Sequence, residues 1–242
     1  MTGFAELVAA TNYSFLRGAS HPADMVGRAL ELGMAGIGIA DRNSVAGVVR
    51  AWIALNEACD EARTALAELD FRLAVGARLV FADASPDIIA YPATRHGWGR
   101  LTRLLTIGNR RAKKGDCILH FTDLLAHADD LLLIVMADES HEFLLRRLAD
   151  ARPDAVWLGA TMPRQGKDCR QLARFKRLAE RIGIPLLASN DALYASPDDR
   201  PPERQCRSSG ARRSPDLRSP QGEGAKRRHS QLDCWCLPLK RL

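Results

Sequence analysis

The chain has 242 residues, 46% of them hydrophobic and 26% charged, with a formal net charge of +6. This is the balance of a globular chain, and no apolar run reaches the about 18 residues a membrane-crossing helix needs, which excludes such a helix. The charge is uneven: from Pro197 onward eleven Lys and Arg stand against six Asp and Glu, so the body is nearly neutral and a nucleic-acid argument needs a local patch.

Phe4 to Ala10 reads as a first strand, followed by the turn-rich Thr11-Asn12-Tyr13-Ser14. Ser20 is placed to cap a helix over His21 to Leu32, with Pro22 in its first turn and Gly33 just past its end. Met25, Val26, Ala29 and Leu30 form its core stripe. Gly36 to Ala40 is apolar without alternation, the pattern of a strand buried on both faces, and Asp41 appears abruptly at its carboxyl end. Asn43 or Ser44 can cap the next helix, expected to run to about Leu69, in which Val45, Val48, Val49, Trp52 and Ile53 recur as one apolar stripe.

Phe71 to Phe81 and Asp87 to Tyr91 are the next strands, and Trp98, Leu101, Leu104, Leu105 and Gly108 mark a helix beyond Pro92. Phe121 to Ala128, with Thr122 as its cap, Glu139 to Ala149 and Asp168 to Ile182 read as helices. Leu131 to Met136, Ala155 to Leu158 and Ile184 to Ala188 read as strands, the last ending in Ser189-Asn190-Asp191. Strands alternating with helices imply an α/β class with a mostly parallel sheet. About seven strands over roughly 190 residues suit a small, imperfect β/α barrel, with a doubly wound open sheet as the alternative. After about Pro197 the chain is rich in Pro, Arg, Ser and Gly without apolar periodicity, and is expected to be disordered.

Polar residues at the carboxyl ends of buried strands are where α/β folds place chemistry, which singles out Asp41, Asn190 and Asp191, with Asn12 and Asp87 near them. The alternative for Asp41 is that it only bonds its own turn. No histidines converge there: the six are scattered, and His120 and His127, seven apart, suit surface or capping roles. Gly33-x-x-Gly36-x-Gly38 leads into a strand instead of following one, so it is no phosphate loop, and there is no Gly-x-Ser-x-Gly elbow. Arg95, Arg100, Arg103, Arg110, Arg111, Lys113 and Lys114, with His96 and Trp98 among them, form the one internal basic patch. Such a run either tracks a phosphate backbone or is a solvated helix face. Met1 to Ser14 has no basic segment before an apolar core, so it is no secretory signal, and six irregularly spaced cysteines are expected as reduced thiols of a cytoplasmic protein.

The segment ATNYSFLRGASHPADMVGRALELGMAGIGIADRNSVAGVVRAW, followed in order by VGARLVF, WGRLTRLLTIGNRRAKKGDC and GIPLLASNDALY, resembles the PHP (polymerase and histidinol phosphatase) domain of bacterial C-family DNA polymerases, most closely the error-prone, translesion branch. The resemblance covers about residues 4 to 196. It implies a distorted (β/α)7 barrel over 1–196, with 197–242 a basic, disordered tail foreign to the family. In active relatives the barrel mouth holds metals on His, Asp and Glu and hydrolyses phosphoesters. Here the opening His-x-His of that family falls on Val8 and Ala10. Asp41 is kept, but its neighbouring His position is Arg42; a family glutamate falls on Arg78, the next His on Asp87 and the last on Leu193, while Asn190 and Asp191 match.

The resemblance therefore implies a dismantled hydrolytic site, with Asp41, Arg42, Arg78, Asp87, Asn190 and Asp191 as its vestigial cleft and two guanidiniums where cations would sit. Neither catalytic residues nor a resident metal or cofactor is expected. The match stops near Arg200-Pro201, where the tail has the character of a shifted reading frame, so a truncated product is expected. The polymerase palm, whose carboxylates would hold magnesium, is then absent and the chain alone should not polymerise DNA. A scaffold role follows, beside the polymerase domains of a parent protein, with accessory subunits of the translesion machinery and DNA as partners. The rivals are a working metal-dependent phosphoesterase using Asp41, Asp87 and Asp191, and a DNA-binding module using the Arg95–Lys114 patch.

Overall fold

The computed structural model describes residues 3–62, 70–164 and 166–199. One sheet runs in chain order through β1 (Ala5–Ala9), β2 (Gly36–Arg42), β3 (Arg72–Leu79), β4 (Ile88–Pro92), β5 (Leu131–Val135), β6 (Val156–Ala160) and β7 (Leu186–Ala188). Helices α1 (Pro22–Glu31), α2 (Val48–Ala62), α3 (Arg95–Arg111), α4 (Phe121–His127), α5 (Glu142–Ala151) and α6 (Asp168–Ile182) pack on its outer face. The sheet is parallel except at β4, which is antiparallel to both β3 and β5. No helix separates β3 from β4, so the chain reverses there. That reversal brings Asp87, at the start of β4, to the end of the barrel where β1, β2, β3 and β7 finish.

The strands obey a period of two. Leu7, Ala40, Ile89, Tyr91 and Ile134 meet inside the curl, while Ile88, Ala90, Leu131, Leu133 and Val135 face the helices. Tyr91 spans the interior and donates to the Leu7 carbonyl at 2.8 Å. It fits because two facing positions lack a side chain: a Cβ on Gly38 would lie 2.2 Å from the Tyr91 hydroxyl, and one on Gly76 2.6 Å from its ring. Burial first, and the nearby Glu6 and Asp41 carboxylates after it, push the Tyr91 phenol far above its ordinary value, so it serves as a neutral donor.

β1 and β7 do not pair as strands, and the barrel is curled instead of fully closed. Loop bonds bridge the gap, Ala10 N–H to Ala192 O at 2.8 Å and Ala19 N–H to Leu193 O at 2.9 Å. Several expected caps are replaced. His21 precedes α1, its N–H bound to Asp24 at 3.1 Å, while Ser20 accepts from Ala195 N–H and donates to Asp199. Neither Asn43 nor Ser44 caps α2, which begins only at Val48; Asn43 instead exchanges bonds with the Val80 backbone. His120, not Thr122, precedes α4, and His127 bonds the Asp123 carbonyl, so both histidines work at helix ends.

The largest departure from the sequence reading is α2. Its inward side is Ala51, Leu55 and Cys59, whereas Val49, Trp52 and Ile53 from the expected core stripe are 64%, 49% and 48% exposed. Periodicity found an apolar face; it could not tell that a second one, of smaller residues, is the face that meets the sheet. The expected extension of this helix to Leu69, and all but residues 197–199 of the expected tail, lie outside the described residues.

Candidate functional site

The carboxyl ends of β1, β2, β3 and β7 converge at one mouth, and every buried charge there has a partner. Asp41, 1% exposed, terminates β2 and gathers the loop after β1. It accepts from Thr11 N–H at 2.7 Å, from the Thr11 hydroxyl at 2.9 and 3.0 Å and from the Ser14 hydroxyl at 2.7 Å. Ser14 Oγ in turn accepts the Arg42 N–H at 2.9 Å. The Asp41 carboxylate is thus taken up not by its own turn but by the loop after β1, 27 to 30 positions away.

Arg78 ends β3 pointing inward, with 3% of its side chain exposed. Its guanidinium lies between two aspartates. Nη1 and Nη2 fork onto Asp191 at 2.7 and 3.3 Å. Nε lies 3.0 Å from Asp87 Oδ2, but off the hydrogen-bond axis, so charge attraction joins that pair. Arg17, from the loop after β1, adds a second guanidinium: Nη2 donates to Asp191 at 2.8 Å and Nη1 lies 4.0 Å from Asp87. Two cations and two anions thus form one closed cluster across β3, β4, the β1 loop and the segment after β7.

Glu6 is the buried charge that sequence reasoning missed. It is 2% exposed on β1, beside a register shift between Glu6 and Ala9. Its Oε1 accepts the Val8 N–H at 2.8 Å and the Ser189 hydroxyl at 2.5 Å, and its Oε2 accepts the Asn190 N–H at 2.8 Å. One carboxylate therefore satisfies the bulge in β1 and ties β1 to the end of β7. A glutamate inside the apolar run Ala-Glu-Leu-Val-Ala was the available signal, because an unpaired buried charge is costly. Ser189 shares with Asn190 and Asp191 the polar strand end that the sequence marks, and Thr11 and Ser14 read as turn residues, whereas Arg17 has no local signal.

Among the residues singled out from sequence, Arg78, Asp87 and Asp191 come together and Asp41 lies in its own network. Arg42 is exposed, so the second guanidinium at the mouth is Arg17 and not the expected Arg42. Asn190 contributes its backbone, with the side chain exposed. Asn12 Nδ2 meets His21 Nδ1 at 2.9 Å, outside the charge cluster. Val8 and Ala10 are buried core residues. Among the described residues no group of three or more His, Cys, Asp or Glu is placed to hold a metal ion.

The basic patch follows α3 and the turn after it. Arg95, Arg103, Arg110, Lys113 and Lys114 are exposed and make no ion pair among the described residues. Arg100 pairs with Asp129 at 3.1 Å, and Arg111 forks onto Asp123. Trp98, 37% exposed on α3, lies among the patch residues as its sequence position implies.

No helix among the described residues is long and apolar enough to cross a membrane. The family model for the PHP domain matches residues 6–177. The chain is 48% identical over 206 residues to the error-prone DNA polymerase of Sinorhizobium medicae, and 45% identical over 206 residues to that of Brucella suis. Each match covers 83% of this chain and 18% of the polymerase, so the chain spans less than a fifth of the length of these curated relatives. A solved putative metal-dependent phosphoesterase from Bifidobacterium adolescentis shares the fold, with a TM-score of 0.54 at 14% identity over 79% of this chain and 88% of that one. With most of its barrel inside the family model, this chain belongs to the PHP domain family, on the branch carried by error-prone DNA polymerases.

Proposed function

We propose that this domain is a scaffold unit of an error-prone DNA polymerase whose barrel mouth is held by internal ion pairs and does not hydrolyse phosphoesters. The observation that carries this reading is the Arg78 guanidinium between Asp87 and Asp191. A PHP metal cluster needs carboxylates and imidazoles with free lone pairs. Here Asp87 and Asp191 face two guanidiniums, and Asp41 and Glu6 spend their oxygens on backbone and hydroxyl donors. The residues present do not fit the group, and no catalytic step is assigned to them. The vestigial-cleft reading of Asp41, Arg42, Arg78, Asp87, Asn190 and Asp191 is thereby refined: the working members are Arg78, Asp87, Asp191 and Arg17.

The reading places the domain in the cytoplasm, beside polymerase domains and accessory translesion subunits. Metal content measured by mass spectrometry on the purified chain, together with a generic phosphoester assay, tests it. Neither stoichiometric metal nor turnover is expected. Near-stoichiometric zinc or manganese with turnover lost in Asp41→Asn would replace it with the phosphoesterase reading.

A second role is supported by the exposed cations of α3, which are candidates for contact with a DNA backbone. Arg100 and Arg111 are weaker candidates, because aspartates already neutralise them. Salt-dependent binding to single-stranded DNA that is unaltered after Arg103, Arg110, Lys113 and Lys114 are neutralised removes this role.

A further inference from the structure

An amphipathic helix on the outside of a barrel should present one apolar face; α2 presents two. Ala51, Leu55 and Cys59 already meet the sheet, yet Val49, Trp52 and Ile53 continue the apolar surface on the solvent side at i, i+3 and i+4. Val49 and Ile53 lie across the helix from Ala51, Leu55 and Cys59, with Trp52 on the flank, and an apolar surface that wide is the pattern of a helix packed on both sides. The loop after β1 reaches the start of the same helix. Arg50 Nε donates to the Tyr13 hydroxyl at 3.0 Å, which holds the loop after β1 against the start of α2. That loop carries Phe15 and Leu16, 79% and 80% exposed, with Leu16 at a φ of 62°, a left-handed conformation unfavourable for a branched side chain. An open cleft of about 400 Å³ runs between the start of α1, at His21 and Pro22, and α2, at Ile53 and Ala54. Arg50 and Glu57 edge it with charges of opposite sign. An apolar centre with a mixed polar rim is the anatomy of a protein interface, not of a nucleic-acid surface.

We infer that the outer face of α2 with the Tyr13–Leu16 loop is where the remaining polymerase chain docks on this domain, through an apolar segment seated along Val49, Trp52 and Ile53. This rests on the scaffold reading. The relatives carry the equivalent of this domain as 18% of their length, so in them more than four-fifths of the protein is tethered to it. Tethering makes docking intramolecular, and a patch of this modest size then suffices.

The test mixes the intact 242-residue chain with the Sinorhizobium medicae polymerase from which the segment matching it has been removed, and measures affinity by calorimetry. The wild-type chain should bind, and V49D/W52E/I53D should bind at least tenfold more weakly with an unchanged circular dichroism spectrum. W52A, milder for folding, should weaken binding in the same direction, while F143D on α5, also an exposed apolar position, should leave it unchanged. Binding by the wild type that the α2 substitutions do not alter would overturn the assigned face and leave the scaffold reading standing; no binding by the wild type, together with junction proteolysis in a full-length chimera as fast as in an unfolded linker, would remove both. A wild-type dimer that the triple substitution dissolves would assign the face to a second copy and overturn the inference. So would a triple substitution whose effect disappears when residues 200–242 are deleted. A full-length chimera, carrying this chain in place of the matching segment, needs neither half to fold alone. Proteolysis at its junction should accelerate at least tenfold with the triple substitution, and equal rates would overturn the assigned face.

Discussion

Arg78 and Arg103 carry the same guanidinium in opposite settings. The first has 3% of its side chain exposed and sits between two aspartates; the second lies in solvent on α3 with no ion pair among the described residues. Arg78 has left water and, among the described residues, recovers the lost hydration from Asp87 and Asp191, so its neighbours and its geometry are fixed together. Arg103 keeps its hydration and can be exchanged without loss to the fold. The mouth of this barrel is therefore structural in its charges, whereas the face of α3 leaves several of its charges in solvent.

Removing Arg78 should have the largest effect. Arg78→Ala leaves two aspartates facing each other with only Arg17 between them, and should cost about 3–5 kcal/mol by denaturant unfolding. Arg78→Lys keeps the charge but not the fork onto Asp191, and should cost about 1.5–3 kcal/mol, the range for a hydrogen bond to a charged group. A loss below about 1 kcal/mol in both variants would show that the mouth clamp contributes little to the fold. Next comes Glu6→Gln. The amide has one acceptor oxygen for three donors and places an NH2 near the Ser189 hydroxyl or the Asn190 N–H. A loss of about 1–3 kcal/mol is expected, with faster hydrogen exchange at Val8 and Asn190. Exchange that accelerates uniformly over the whole barrel would argue against a local tie between β1 and β7.

These two sites also mark what a sequence can disclose. The strands were legible because LLLIV and GIGIA are short apolar runs closed by turn residues, and α6 was legible because Phe175, Leu178 and Ala179 repeat at helical spacing up to Gly183. Arg78, Asp87 and Asp191 were legible as family positions. Their mutual pairing was not, because 113 positions separate Arg78 from Asp191 and no pattern links them. Glu6 and Ser189 are 183 positions apart, and a bulge in a five-residue strand leaves no periodic trace. Arg42 and Arg78 are register partners on β2 and β3, yet Arg42 is the exposed last residue of its strand and Arg78 is buried one position before the end of its own, a difference that no local pattern discloses. The two-faced α2 failed for the opposite reason: the pattern held more apolar residues than one face needs.

On α3 the expected effects are smaller and of another kind. Neutralising Arg103, Arg110, Lys113 and Lys114 together should leave stability within about 0.5 kcal/mol per site. If these cations contact single-stranded DNA, log K against log salt should lose about 0.7 in slope for each contact removed. A fold that destabilises by several kcal/mol instead would place the patch with the mouth, as structural charge.

Asp123 lies between the two settings, and its titration measures how far toward the mouth it belongs. The hydrogen bonds from Arg111 are the main influence holding its carboxyl below the ordinary range; slight burial opposes them and the His120 N–H adds to them. Since the folded-state value is lowered, the stabilisation is complete above the unfolded value, near 4, and disappears as pH falls through the lowered one. Arg111 is 41% exposed, so solvent screening keeps the contribution of the pair small. Urea unfolding of the wild type and Asp123→Asn should therefore differ slightly near neutral pH, the wild type being the more stable, and converge as pH falls through the lowered value. A gap that persists unchanged into acid would mean that the packing of the α4 start on α3, and not the charge of Asp123, sets its contribution.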